Sequence, residues 1–133
     1  MKIEAYAKIN LFLDIEDVRK DGYHNIISVM QTVDWRDIVT VEKNCSNSIE
    51  VKCSNGNIPC GHENIAYRAA KMFCDTLGEN LGVDIYIEKN IPVSAGMAGG
   101  SADAAAVLRG MNSVFGNPFG TDKLLGIAKT VGA

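Results

Sequence analysis

The chain has 133 residues, 22% of them charged and 47% hydrophobic, with a formal net charge of −3. That length can build one domain with a real core, and the composition is globular rather than disordered. The acidic balance, with no run of like charges, excludes a protein that lives on nucleic-acid backbone or anionic membrane, since either selects a basic face.

In chain order the first half reads as strands. Ala7, Ile9, Leu11, Leu13 and Ile15 alternate with more polar neighbours, the period of a strand. Residues 19–22 end in glycine and predict a turn. Residues 23–33 predict a second strand and 37–42 a third. Residues 49–53 predict a fourth, with 43–48 as a hairpin connection. Asn64 then predicts the cap of a helix in which Ile65, Ala69, Phe73 and Leu77 recur every four residues, closed by Gly78. Strict alternation returns over 82–88 through Val83, Ile85 and Ile87. After a glycine-rich loop, a helix is expected over 101–115 with Ala104, Val107, Leu108 and Met111 buried. Thr121 predicts the cap of a last helix carrying Leu124, Ile127 and Val131. Four strands, helix, strand, loop and two helices predict an α+β fold in a single domain over residues 1–133.

Cys45, Cys53, Cys60 and Cys74 form no Cys-x-x-Cys pair and have no histidine in finger spacing, which predicts reduced thiols rather than zinc ligands. Lys2, Glu4 and Lys8 interrupt any signal-peptide core, and no apolar run approaches the ~20 residues that span a bilayer. A cytoplasmic location, with no membrane and no nucleic-acid partner, is the expectation.

The most informative stretch is the loop of Pro92, Val93, Ser94, Ala95, Gly96, Met97, Ala98, Gly99, Gly100, Ser101 and Ala102. Glycine admits positive φ and close approach of backbone to a ligand, and a helix N-terminus behind it adds unpaired N–H groups. A phosphate is therefore the first ligand to consider, against the plainer reading of a turn whose glycines only pack. No lysine follows Gly99 or Gly100, so the Walker P-loop is excluded, and Gly96-Met97-Ala98 breaks the dinucleotide fingerprint. Ser101 reads either as the N-cap of the helix or as a hydroxyl bonding a triphosphate oxygen or Mg²⁺. Asp103, in the first helical turn, would repel a bound triphosphate unless a metal lies between.

Two further clusters stand out. Lys8 and Asn10 fall on one face of the opening strand and project together, as a wet edge or as a functional pair. Tyr23 and His24 follow a turn and read either as strand residues or as a platform, an aromatic face beside an imidazole, for a flat heterocycle.

Together, Ala-Lys-Ile-Asn-Leu near the start, Asp-Gly-Tyr-His with Ser-Val-Met-Gln after it, and Pro-x-x-Ala-Gly-x-Ala-Gly-Gly-Ser-x-Asp-Ala-Ala resemble the GHMP kinase superfamily. The first two motifs are similar to the branch that phosphorylates a cytidyl diphosphate alcohol in isoprenoid (terpenoid) precursor synthesis. The resemblance implies the N-terminal ATP-binding lobe of that fold, akin to the second domain of ribosomal protein S5. It also implies transfer of the ATP γ-phosphoryl group to the 2-hydroxyl of the cytidyl substrate. Residues 92–102 would wrap the ATP phosphates, Ser101 would lie near Mg²⁺, and Asn64 and Lys89 would line the adenine side. Tyr23 and His24 would hold the cytosine. Lys8 would stand at the reacting hydroxyl, supported by Asn10, where an ammonium can stabilise developing charge.

Ser94 and Met97 depart mildly from the residues commoner at those loop positions. The resemblance also places the aspartate partner of Lys8 just past Ala133, with the rest of the lobe and a C-terminal lobe beyond. From that, the chain alone is expected to be inactive and prone to self-association. Another small-molecule kinase of the superfamily, or a nucleotide-binding module without chemistry, are the competing readings; a nucleic-acid-binding domain is disfavoured by the acidic balance.

Overall fold

The alternation in the first half of the chain folds into one four-stranded sheet, seen in a computed structural model that describes residues 1–18, 22 and 24–132. The strands are β1 (Lys2–Val18), β2 (His24–Lys43), β3 (Ile49–Cys53) and β4 (Val83–Glu88). The helices are α1 (Ile65–Leu77), α2 (Gly99–Val114) and α3 (Thr121–Val131), so the α+β expectation holds. One sheet face is apolar: Ile3, Ala5 and Ala7 of β1, Val39 and Val41 of β2, and Val83, Ile85 and Ile87 of β4 are all buried. Period-2 burial of this kind leaves the alternate residues, such as Tyr86 and Glu88, on the open face. α2 covers β1 and β2, and α1 covers β3. Gly110 lets α2 lie directly on the sheet, because a Cβ there would meet Ile3 Cδ1 and Val41 Cγ2 at 2.7 Å.

Two strand expectations are corrected. The sheet order is β1-β2-β4-β3, so residues 44–48 do not close a hairpin. β4 inserts between its neighbours, antiparallel to β2 and parallel to β3. Its inner face is wholly apolar and takes the centre of the sheet. β3 buries only Val51 and tolerates the edge. The strands read over 23–33 and 37–42 form the single β2, and the break between them survives as an irregularity in pairing. The register passes from Tyr6↔Arg36 to Lys8↔Thr32, so β2 carries the excess residues there. Trp35 lies in that bulge and donates its indole N–H to the Asn90 carbonyl at 3.0 Å.

The helix ends are mixed. Asn64 caps α1 as expected, accepting from Ala66 N at 2.8 Å, and Gly78 ends it in the left-handed region at φ 77°. α3 begins one residue earlier than a Thr121 cap requires, with Gly120 as N-cap and no side-chain cap. The turn read over 19–22 lies largely outside the described residues. Beyond Lys8 the β1–β2 pair leaves the helices and extends as a ribbon. Leu11, Phe12, Leu13, Ile15, Val18, Ile26, Ile27, Val29 and Met30 are exposed along it. No helix among the described residues is long and apolar enough to cross a membrane.

Candidate functional site

The loop between β4 and α2 forms one wall of a cleft of about 410 Å³. Its residues Pro92, Val93, Ser94, Ala95, Gly96, Met97, Ala98, Gly99, Gly100 and Ser101 all line that cleft. Ala102 does not; the turn of α2 carries it inward, where it packs against the core. The facing wall is apolar, from Cys53, Ile58, Pro59, Ile65 and Ile87, with Glu63 and Asn64 at the start of α1. Sequence reasoning had singled out only Asn64 from that wall.

Ser94, Gly96 and Ala98 take positive φ values of 60°, 70° and 58°. Alternating left-handed positions of this kind form the concave backbone nests that hold anions. For Ser94 and Ala98 the conformation costs roughly 1–2 kcal/mol per residue, so the loop holds its shape at an energetic cost. Only Gly96 of the three loop glycines uses positive φ. Gly99 is helical and serves close packing, since a Cβ there would lie 3.0 Å from Ile91 Cγ2.

The N-cap of α2 is Ala98, not Ser101, and it makes no side-chain cap. Ser101 falls inside the first turn because the helix starts at Gly99, two residues earlier than expected. No capping side chain therefore competes for the first N–H groups of α2, and these are the groups an anion takes at a helix start.

Both ends of the loop are pinned. Lys8 N donates to Met97 O at 3.1 Å, which brings β1 against the loop. Asp37, fully buried on the inner face of β2, accepts from Asn90 N at 2.5 Å and Ile91 N at 2.8 Å. The Lys89 ammonium reaches Asp37 Oδ2 at 2.5 Å and Asp103 Oδ2 at 2.7 Å, joining β2, β4 and α2. Asp103 Oδ1 is buried and, among the described residues, has no hydrogen-bond partner. Burial pushes the Asp103 carboxyl up to about 7 even with the ammonium beside it. Burial alone would lower Lys89, but its bonds to Asp103 and Asp37 outweigh that and hold its pKa above the ordinary lysine value.

Asp37 is absent from the sequence-based expectations, and Asp103 enters them only as a charge opposed to a triphosphate, not as the partner of Lys89. The signal was present, since Asp37 shares a face with Val39 and Val41, and Lys89 continues the face of Val83, Ile85 and Ile87. A charge on an apolar stripe needs a partner, and these charges partner one another.

Of the other expected residues, Lys8, Asn10 and His24 do not line the cleft, although the Lys8 backbone touches its loop. Lys8 Nζ bonds Asn10 Oδ1 at 3.4 Å, and the Ser28 hydroxyl donates to the same oxygen at 3.3 Å, so Lys8 and Asn10 do project together. His24 opens β2 at the far end of the ribbon, paired with Val18. It lies eight residues from Thr32, roughly 26 Å of extended strand. Tyr23 lies outside the described residues. Both polar ends of Asn64 are engaged, Oδ1 by Ala66 N and Nδ2 donating to Pro59 O at 2.7 Å. Burial pushes the Cys53 thiol up to about 12, with Cys60 beside it, which makes Cys53 an apolar wall rather than a nucleophile.

No group of three or more His, Cys, Asp or Glu among the described residues could hold a metal ion. Ser101 offers one hydroxyl at the cleft, which suits a Mg²⁺ carried in by a triphosphate rather than a resident ion.

Residues 64–133 match the family described as GHMP kinases N terminal domain. The chain is 52% identical over 133 residues to the 4-diphosphocytidyl-2-C-methyl-D-erythritol kinase of Clostridium tetani, covering 100% of this chain and 47% of that protein. It is 51% identical to the enzyme of the same name from Caldicellulosiruptor bescii, covering 46% of it. Among solved structures, a 4-(cytidine 5'-diphospho)-2C-methyl-D-erythritol kinase matches with TM-score 0.81 at 35% identity, over 100% of this chain and 46% of that one. A homoserine kinase from Cytophaga hutchinsonii shares the fold, with TM-score 0.73 at 18% identity over 98% of this chain and 40% of its own. The chain thus spans about half the length of the relatives it matches.

Proposed function

The chain belongs to the GHMP kinase family, and we propose that within it the protein is an ATP-dependent kinase of 4-diphosphocytidyl-2-C-methyl-D-erythritol. The observation that carries this reading is the seam between β1 and the loop, where Lys8 N meets Met97 O. It sets the lysine of the opening motif beside a backbone nest shaped for phosphates. The names of relatives about half identical over the whole chain support the choice of substrate.

In this reading MgATP is a substrate. Its phosphates lie along residues 94–101 and against the uncapped start of α2, with the Ser101 hydroxyl near the metal. The adenine rests on the apolar wall near Asn64. The substrate 2-hydroxyl oxygen attacks the γ-phosphorus and gives its proton to the aspartate that the resemblance pairs with Lys8, the bond from phosphorus to the β,γ-bridging oxygen breaks, and ADP leaves. Little covalent work falls to the protein, whose part is to position the reactants and stabilise charge. The Lys8 ammonium, steadied by Asn10, stabilises the attacking oxygen and the transferring group. The cytosine end of the substrate is assigned to Tyr23 and to His24, the latter at the end of the ribbon.

Trp35 is the single tryptophan and bonds Asn90 just ahead of the loop, so its emission reports on the site. Titration with MgATP is expected to shift that emission saturably. Cytidine 5′-diphosphate is expected to bind without displacing ATP and to lose its binding in Tyr23→Ala. No saturable response to MgATP would overturn the reading. Competition of the two nucleotides for one site would remove the cytidyl assignment.

The exposed apolar ribbon supports self-association of this chain. Sedimentation velocity is expected to show species larger than a monomer, which dissociate in Leu11→Lys. A concentration-independent monomer in the unaltered chain would rule this out.

A further inference from the structure

The mechanism above makes no use of the buried group Asp37, Lys89 and Asp103, yet it sits directly behind the phosphate nest. A Cβ on residue 99 would lie 3.4 Å from Lys89 Nζ, which places the ammonium under the first residue of α2. Lys89 and Asp103 both line the cleft. Two carboxylates and one ammonium leave the group with a net charge of −1 when all are ionised. The deficit is visible at Asp103 Oδ1, which is buried with no partner among the described residues.

Asp103 lies past the first turn of α2, not in it as expected, so it gains little from the helix dipole, yet its charge opposes any anion held at that N-terminus. In an interior of low effective dielectric that opposition reaches well beyond contact distance. The ammonium is already held by two carboxylates, which leaves it poorly placed to read a nucleotide base.

We propose that Lys89 is a positioning residue for the phosphate end of the cleft, whose ammonium offsets Asp37 and Asp103 behind Gly99 so that the start of α2 can accept an anion. This rests on the nucleotide reading of the cleft and adds to it the group that sets how strongly phosphates are held. The net charge of the buried group, rather than any contact from Lys89 to the ligand, then controls affinity.

The test is titration of the chain with ATP and, separately, with inorganic tripolyphosphate at fixed ionic strength and at about pH 8.5, where Asp103 is ionised, followed by Trp35 emission. Asp103→Asn makes the group neutral, keeps its shape, and is expected to tighten both ligands by about tenfold. Lys89→Met makes the group more negative and is expected to weaken both by a similar factor. The double variant Lys89→Met/Asp103→Asn restores the original net charge and is expected to return both affinities towards the starting values. That rescue is a readout a merely structural role would not produce. Should Lys89→Met fail to fold, the single Asp103→Asn and the double variant still decide the matter.

Weakening of ATP alone in Lys89→Met, with tripolyphosphate unchanged, would mean that Lys89 reads the base and would overturn the proposal. Unchanged tripolyphosphate affinity in Asp103→Asn would overturn it as well. An unaltered chain that binds neither ligand would overturn the nucleotide reading itself, a result distinct from either of these.

Discussion

Asp37→Ala is expected to destabilise the chain by about 2–4 kcal/mol, measured as a lowered urea midpoint at unchanged slope. The carboxylate is fully buried and accepts three hydrogen bonds, from Asn90 N, Ile91 N and the Lys89 ammonium. Truncation leaves Lys89 and Asp103 as a neutral pair, so the cost does not come from an unmatched charge. It comes from the buried Ile91 N–H left without an acceptor, at about 1–3 kcal/mol, from a smaller loss at the part-buried Asn90 N–H, and from the space vacated. Asp37→Asn should lose less, because an amide oxygen can still accept from both backbone groups. The same truncation is expected to shift Trp35 emission, since Trp35 is tied to the Asn90 carbonyl. An Asp37→Ala chain as stable as the original would mean that the segment entering the loop is held by something else.

Stability is expected to carry a distinctive pH dependence from Asp103. Its carboxyl is raised by burial from 3.8 to about 7 in the folded chain. Below about pH 4 the group is protonated in both folded and unfolded chains and contributes nothing. Between about pH 4 and 7 the unfolded chain releases this proton while the folded chain keeps it. The unfolded state then binds fewer protons, and stability falls as pH rises, by at most about 1.4 kcal/mol per pH unit. Above about 7 the contribution is flat. Lys89, whose pKa is raised, stays charged in both states across this window and adds no slope. The readout is therefore the difference in unfolding free energy between the original chain and Asp103→Asn. Asp103→Asn should gain relative stability steadily from about pH 4 to 7 and none beyond. A difference constant with pH would show that Asp103 is ionised throughout.

The elements legible in the sequence were those whose signal is local. The helix from Asn64 to Gly78 carries its own cap, its own four-residue repeat and its own left-handed stop, and all three are found in place. The alternation of Val83, Ile85 and Ile87 likewise appears as a buried strand face. What could not be read was which strand lies beside which. The segment 44–48 has hairpin length, but whether β3 folds back on β2 depends on a strand thirty residues further on. Once β4, with its wholly apolar inner face, claims the centre, β3 is displaced to the edge.

The helix start was misplaced for a different reason. Glycine costs about 1 kcal/mol relative to alanine in a helix, so Gly99 and Gly100 read as loop. The fold accepts that cost where the helix must approach Ile91 and present bare N–H groups. The loop that lines the cleft was legible as a glycine motif. The buried charges behind it needed a test for ionisable residues on apolar stripes, which Asp37, Lys89 and Asp103 each satisfy.

The central position of β4 also bears on the order in which the chain can be assembled during synthesis. When β1, β2 and β3 have emerged from the ribosome, the strand that joins β2 to β3 begins only thirty residues further on. Until residues 83–88 arrive, β2 presents an unpaired inner edge, and the ribbon presents its apolar side chains as well. Open edges of this kind recruit other strands, so the nascent chain passes through its most aggregation-prone stage before its sheet can close.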